Sequence, residues 1–123
     1  MTGMIWDMKR FMIAAGQTVE EFNGKQEVLY RALIREESEE FLRACTIETE
    51  VDALKEAADI LVVTLGWIIS MGVSPDQLWK LVHENNMAKF EGGVVKDSNG
   101  KVQKSARSKA RKEKMMVDIK ELL

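Results

Sequence analysis

The chain has 123 residues, of which 46% are hydrophobic and 31% charged, and a formal net charge of -2. That suits one globular domain with a real core and leaves no room for two, and the near balance of charge gives no general case for nucleic acid or an anionic membrane. A single cysteine, Cys45, excludes an internal disulfide and fits a reducing cytoplasm, where its expected place is semi-buried near a helix end. The longest apolar run, Ile60 to Val73, covers 14 residues, short of the roughly 20 that a membrane span needs. It reads as a buried core helix. The first residues lack a basic-then-apolar leader pattern, so the expectation is a cytoplasmic protein.

The only proline, Pro75, points to long uninterrupted helices. The first helix is expected over 4–15, with Thr2 as cap and Gly16 as stop. Its apolar residues Met4, Ile5, Met8, Phe11, Met12 and Ala15 keep helical spacing. A loop over 16–24 holds the turn signal Asn23-Gly24. A second helix follows over 25–44, with Leu29 and Leu33 on its inner stripe. The third runs over 48–71, with Thr46 or Thr49 as cap and Gly72 as stop. Ser74-Pro75-Asp76 opens a fourth, ending near Ala88 or Lys89.

Beyond Gly92-Gly93, the segments Val94-Val95-Lys96 and Lys101-Val102-Gln103 flank Asp97-Ser98-Asn99-Gly100, the pattern of a small hairpin or ordered loop. Residues 105–123 are a candidate fifth helix, or an arm that orders on a partner. The stretch 101–114 carries Lys101, Lys104, Arg107, Lys109, Arg111, Lys112 and Lys114 against one acid, Glu113. The later members of this run read as a solvated helix face.

The informative feature is where the acids fall. Continued from Leu29 and Leu33, the inner stripe of the second helix passes through Glu36 or Glu37, then Glu40, then Ala44. On the third helix the stripe reads Asp52, Glu56, Asp59, Val63, Gly66 and Ser70. A short connection makes the two helices antiparallel neighbours. Glu37 and Glu56 each stand about ten residues from the turn, at similar heights for a rise of ~1.5 Å per residue. Carboxylates facing one another across a seam repel. All-oxygen ligands suit a hard ion, magnesium or manganese, and a chain with one histidine, His83, and one cysteine is poorly equipped for zinc. Periodicity alone leaves the acids evenly divided between a solvated face, with Arg31 or Arg35 as partners, and a cation site.

The pattern Glu36-Glu37-Ser38-Glu39-Glu40, then 15 residues, then Glu56-Ala57-Ala58-Asp59 and Ile60-Leu61-Val62-Val63, resembles the all-α nucleotide pyrophosphohydrolases, the MazG-like and phosphoribosyl-ATP pyrophosphohydrolase-like superfamily. Phe11 to Gln17, Arg31-Ala32-Leu33-Ile34, His83 to Phe90 and Gly100 to Ser105 are similar to further segments of it, in order. The resemblance spans residues 8–105. Two departures stand out. Lys55 replaces an acid that many members carry before Glu56, and the 16–24 loop lacks their prolines.

The resemblance implies a four-helix all-α bundle with a small C-terminal hairpin or loop. It implies magnesium-dependent hydrolysis of a nucleoside triphosphate to monophosphate and pyrophosphate. Glu37, Glu40, Glu56 and Asp59 would hold magnesium, with manganese as a substitute, and Glu36 would orient the attacking water or complete a second metal site. Lys89, Lys101 and Lys104 would meet phosphate, and Asn86 phosphate or sugar. Phe11 and Gln17, with Trp6, are candidates for the base, although packing suits the two aromatics better. Trp67 and Trp79 are assigned to core or interface, His83 to the helix surface. The family implies a homodimer or a dimer of dimers, to which Met115–Leu123 could add. The alternatives are phosphoribosyl-ATP as substrate, or a non-catalytic helical module with salt-bridged acids.

Overall fold

A computed structural model gives five helices: α1 (Met4–Ala14), α2 (Gly24–Ile47), α3 (Glu50–Ser70), α4 (Pro75–Ala88) and α5 (Ala106–Glu121). It describes residues 3–91, 96–102 and 106–123, with backbone only at 106–108. Among these the only extended pairings are two isolated bridges, Phe22 with Met71 and Lys96 with Val102. The all-α class is therefore borne out, and the candidate fifth helix is present. The expected cap Thr2 lies outside the described residues. Among those described, no helix is long and apolar enough to cross a membrane.

The chain forms two compact units, Met1–Pro75 and Asp76–Leu123. In the first, α2 and α3 pack antiparallel along their length and α1 lies against α3. Local chemistry sets the ends. Asn23, read from sequence as half of a turn, caps α2, its side chain accepting from the Gln26 amide at 3.1 Å. Thr49 caps α3 in a reciprocal box: Asp52 N–H donates to the Thr49 hydroxyl, and Thr49 N–H and hydroxyl donate to the Asp52 carboxylate, at 3.2 Å and 2.7 Å. These bonds hold the Asp52 carboxyl below its ordinary range. Gly16 and Gly72 end α1 and α3 with φ of 76°, where other residues are disfavoured.

The core of this unit is Met8, Met12, Tyr30, Val63 and Ile69, with Leu33, Ile34, Leu65 and Trp67 packed around it. Two sequence expectations need correction here. Leu29 is 46% exposed, and the inner stripe of α2 instead runs through Gln26, Tyr30, Leu33 and Ile34, Glu37, Phe41 and Ala44. The stripe is rotated because a buried polar network, not a leucine, starts it. The Gln26 amide donates to Ser70 Oγ at 2.8 Å and to the Thr18 carbonyl at 2.7 Å, and its oxygen accepts from Thr18 N–H at 2.8 Å. Nor is α3 wholly buried: Leu61 and Val62 are exposed, since α1 leaves an open groove on that side.

In the second unit, Arg111 of α5 pairs at 2.7 Å with Glu91, three residues past the end of α4. In the loop, Asp97 Oδ1 accepts from the N–H groups of Asn99 and Lys101, both at 2.9 Å. That is an Asx-type turn closed by the Lys96–Val102 bridge, so the expected ordered loop stands where it is described. Trp79, assigned to core or interface, is 65% exposed and stacks on His83, itself exposed as expected, at 5.7 Å. Cys45 is exposed, not semi-buried.

At Gly66, α3 packs directly against the Tyr30 ring of α2. A Cβ at this position would overlap the Tyr30 ring, and the ring is fully enclosed by core. Gly66→Ala should lower unfolding free energy by about 3 kcal/mol, the upper range for overpacking. The penalty should shrink markedly in a Tyr30→Ala background. Denaturant melts of the two single variants and the double variant measure both.

Candidate functional site

Glu37 on α2 and Glu56 and Asp59 on α3 meet across the seam. One carboxylate oxygen from each lies within 4.8 Å of the others. All three residues are half-buried, the consequence of the α2 stripe passing from Tyr30 through Glu37 to Ala44 while the α3 stripe passes from Glu56 to Val63. Sequence spacing set four acids, Glu37, Glu40, Glu56 and Asp59, across the seam, and three of them converge. Glu40, one turn further along α2, is more exposed and adds its negative charge to the field at Glu37. Glu36 is exposed on α2 and is not one of the three whose oxygens converge.

The electrostatics are unbalanced. Burial and the surrounding acids Glu40, Glu56 and Asp59 push the Glu37 carboxyl up to about 7. One oxygen each of Glu37 and Glu56 is buried and lacks a hydrogen-bond partner. Two ionised carboxylates offer each other no donor. A proton on Glu37 supplies one and lets it donate to Glu56. On α3 the compensation is different: Lys55 Nζ stands 2.6 Å from Asp59 and 3.5 Å from Glu56, and these contacts push its ammonium's pKa upward, Asp59 contributing most.

Orphaned buried oxygens in a three-carboxylate cluster are what a hard divalent cation needs as ligands. The residues fit such an ion, with Glu37, Glu56 and Asp59 as the converging donors.

The other expected site residues fall as follows. The Gln17 amide oxygen accepts from Tyr30 Oη at 2.5 Å, so that group is engaged by the fold, and burial pushes the Tyr30 hydroxyl's pKa up. Phe11 and Trp6 are 58% and 47% exposed, against the packing role expected of them. Phe11 lines an apolar groove of about 480 Å³ between α1 and α3 with Met4, Met8, Leu61, Val62 and Leu65. Arg31 makes no pair with the cluster and donates to both oxygens of Glu27 at 2.8 Å, because the i, i+4 partner one turn back is nearer.

In the second unit, Lys89 Nζ donates to Asn86 Oδ1 at 3.0 Å, so these two expected substrate residues share one spot. Lys101 is exposed beside the Asp97 turn. Lys104 lies outside the described residues. Sequence reasoning missed the Gln26–Ser70 and Gln17–Tyr30 bonds that brace the base of the seam. The signal was there in Gly66 and Ser70, two small residues one turn apart on the inner face of α3.

With a raised Glu37 pKa the native protein binds more protons than the unfolded chain between its ordinary value of 4.5 and about 7. Its contribution to stability is therefore complete below that window and lost as pH rises through it. Metal-free protein should fall in stability from pH 4.5 to 7. Glu37→Gln should flatten this slope, and magnesium at pH 8 should restore stability to the parent only. Thermal melts across pH, with and without magnesium, measure all three.

The family model for phosphoribosyl-ATP pyrophosphohydrolase matches residues 8–86, more than half of the chain and inclusive of Glu36, Glu37, Glu40, Glu56 and Asp59. No curated protein matches it.

Proposed function

Since this chain belongs to the phosphoribosyl-ATP pyrophosphohydrolase family, within the MazG-like nucleotide pyrophosphohydrolase superfamily, we propose that it hydrolyses a nucleoside triphosphate, ribo- or deoxyribo-, to monophosphate and pyrophosphate. The observation that carries the reading is the convergence of Glu37, Glu56 and Asp59 with two buried oxygens left unpartnered. A structural cluster of acids would be expected to pair those oxygens internally.

In this reading Glu37, Glu56 and Asp59, joined by Glu40, hold magnesium. A cation held there would supply positive charge to offset that building on the departing pyrophosphate. Glu36, exposed on the acid-bearing helix, orients a water and takes its proton as the oxygen attacks the α-phosphorus. The α–β anhydride bond breaks and pyrophosphate leaves with the bonding pair. The family resemblance would assign Asn86, Lys89, Lys101 and Lys104 to donors and point charges for phosphate and sugar oxygens.

A second reading, phosphoribosyl-ATP as substrate, is favoured by the description of the matched family. It uses the same acids and differs only at base and ribose. The non-catalytic alternative, with salt-bridged acids, fits less well: Lys55 partners the α3 acids, while Glu37 and Glu56 each keep a buried oxygen unpaired.

The working unit we propose is a homodimer or dimer of dimers. Met4, Phe11, Leu61 and Val62 expose apolar surface around one groove, a larger patch than isolated surface residues give.

Pyrophosphate release from a panel of nucleoside triphosphates and phosphoribosyl-ATP, with and without magnesium, tests the reaction. Release should require magnesium and fall on the order of 100-fold or more in kcat/KM for Glu37→Gln and Asp59→Asn. Release from none of these substrates by folded protein would exclude the enzymatic reading.

Gel filtration should give a dimer or larger, and Leu61→Lys should shift it toward monomer. A monomeric parent at high concentration would sink the oligomer proposal.

A further inference from the structure

We propose that Lys55 is a displaceable counter-cation of the acid cluster, holding Asp59 until a divalent cation takes that carboxylate from it. The inference rests on the reading of Glu37, Glu56 and Asp59 as cation ligands and adds a competitor built into the same helix.

The geometry is asymmetric. Both acids of α3 face the Lys55 ammonium, Asp59 at 2.6 Å and Glu56 at 3.5 Å. Glu37, across the seam, has no basic partner among the described ion pairs and keeps a buried oxygen bare. Lys55 and Asp59 are i, i+4 neighbours, so their contact follows from the helix and persists without any help from tertiary packing. The Lys55 side chain is 66% exposed. Its flexible stem lets the ammonium swing into water without disturbing the core. Displacement therefore costs the fold little.

A cation that bridges the three carboxylates must use the Asp59 carboxylate that Lys55 occupies, and it would sit a few ångströms from a like charge. Lys55 thus opposes the ion twice, by occupying a ligand and by repulsion. In the metal-free protein it does the opposite, damping the repulsion between Glu56 and Asp59. An ordinary surface pair would do neither to a measurable degree, since exposed i, i+4 pairs contribute only tenths of a kcal/mol. The two possibilities separate on cation affinity, which a bystander pair leaves unchanged.

The test is calorimetric titration with Mn²⁺ at pH 8, alongside thermal melts of metal-free protein, for the parent, Lys55→Met, Lys55→Gln and Lys55→Arg. The neutral variants should bind Mn²⁺ about tenfold more tightly than the parent, melt lower without metal, and gain more from adding it. Lys55→Arg, which keeps the charge, should stay near the parent in both measurements. Unchanged or weaker affinity in both neutral variants would overturn the proposal while leaving the cation site intact. A folded parent that binds no Mn²⁺ would instead overturn the site reading, and Lys55's role with it.

Discussion

The ring of Tyr30 lies where any side chain at position 66 would have to be. That exclusion sets how closely α2 and α3 approach, and the separation of the helices sets everything built along their seam. One turn from Gly66, Ser70 accepts from Gln26 and donates to the Gly66 carbonyl at 2.6 Å, closing the seam at its far end. Tyr30 is held in turn by Gln17. The two helices are thereby locked at one end by a ring over a glycine and a buried amide. Their acid-bearing halves inherit that spacing without contributing attraction of their own.

The acids would drive the helices apart if left alone, and the protein handles them in two ways. Across the seam the raised affinity of Glu37 for a proton removes a charge where burial makes it most costly. Along α3, Lys55 neutralises by contact. When both acids are ionised, one buried oxygen of Glu37 and one of Glu56 have no donor, and the cluster is tolerated without being at rest. The stability for this comes from Met8, Met12, Tyr30, Val63 and Ile69, a core set beside the acids and independent of them.

Much of this was legible in the sequence, and the failures share a cause. Helix ends followed their punctuation: Pro75 opens α4, Gly16 and Gly72 stop α1 and α3, and Thr49 was one of two caps proposed. The acids were placed by spacing alone, since two antiparallel helices with a short turn bring equal counts to equal heights. Leu29 misled because α2 is apolar on more than one side, and Val28, Leu29 and Leu42 all point outward. Hydrophobicity shows that a side is covered by something, not which element covers it. The same ambiguity hid the exposure of Phe11, Trp6, Leu61 and Val62. The polar brace at Gln26 was invisible for the converse reason, a polar residue at a core position whose partners, Thr18 and Ser70, lie 8 and 44 residues away. The candidate substrate residues Asn86, Lys89 and Lys101 were reached by resemblance, because no periodicity singles out a lysine that would serve a ligand.

The lock at Gly66 also works as the origin of a ruler. Asp59 and Glu56 lie seven and ten residues before it, close to two turns and to three of an α-helix. Chain added before Glu56 only lengthens the helix end and the turn beyond the acids. A single residue added between Asp59 and Gly66 would carry both acids about 100° around the helix axis, away from Glu37 and out of the seam. Length variation in α3 is therefore tolerable on one side of the acids and forbidden on the other, a boundary drawn by one ring over one glycine.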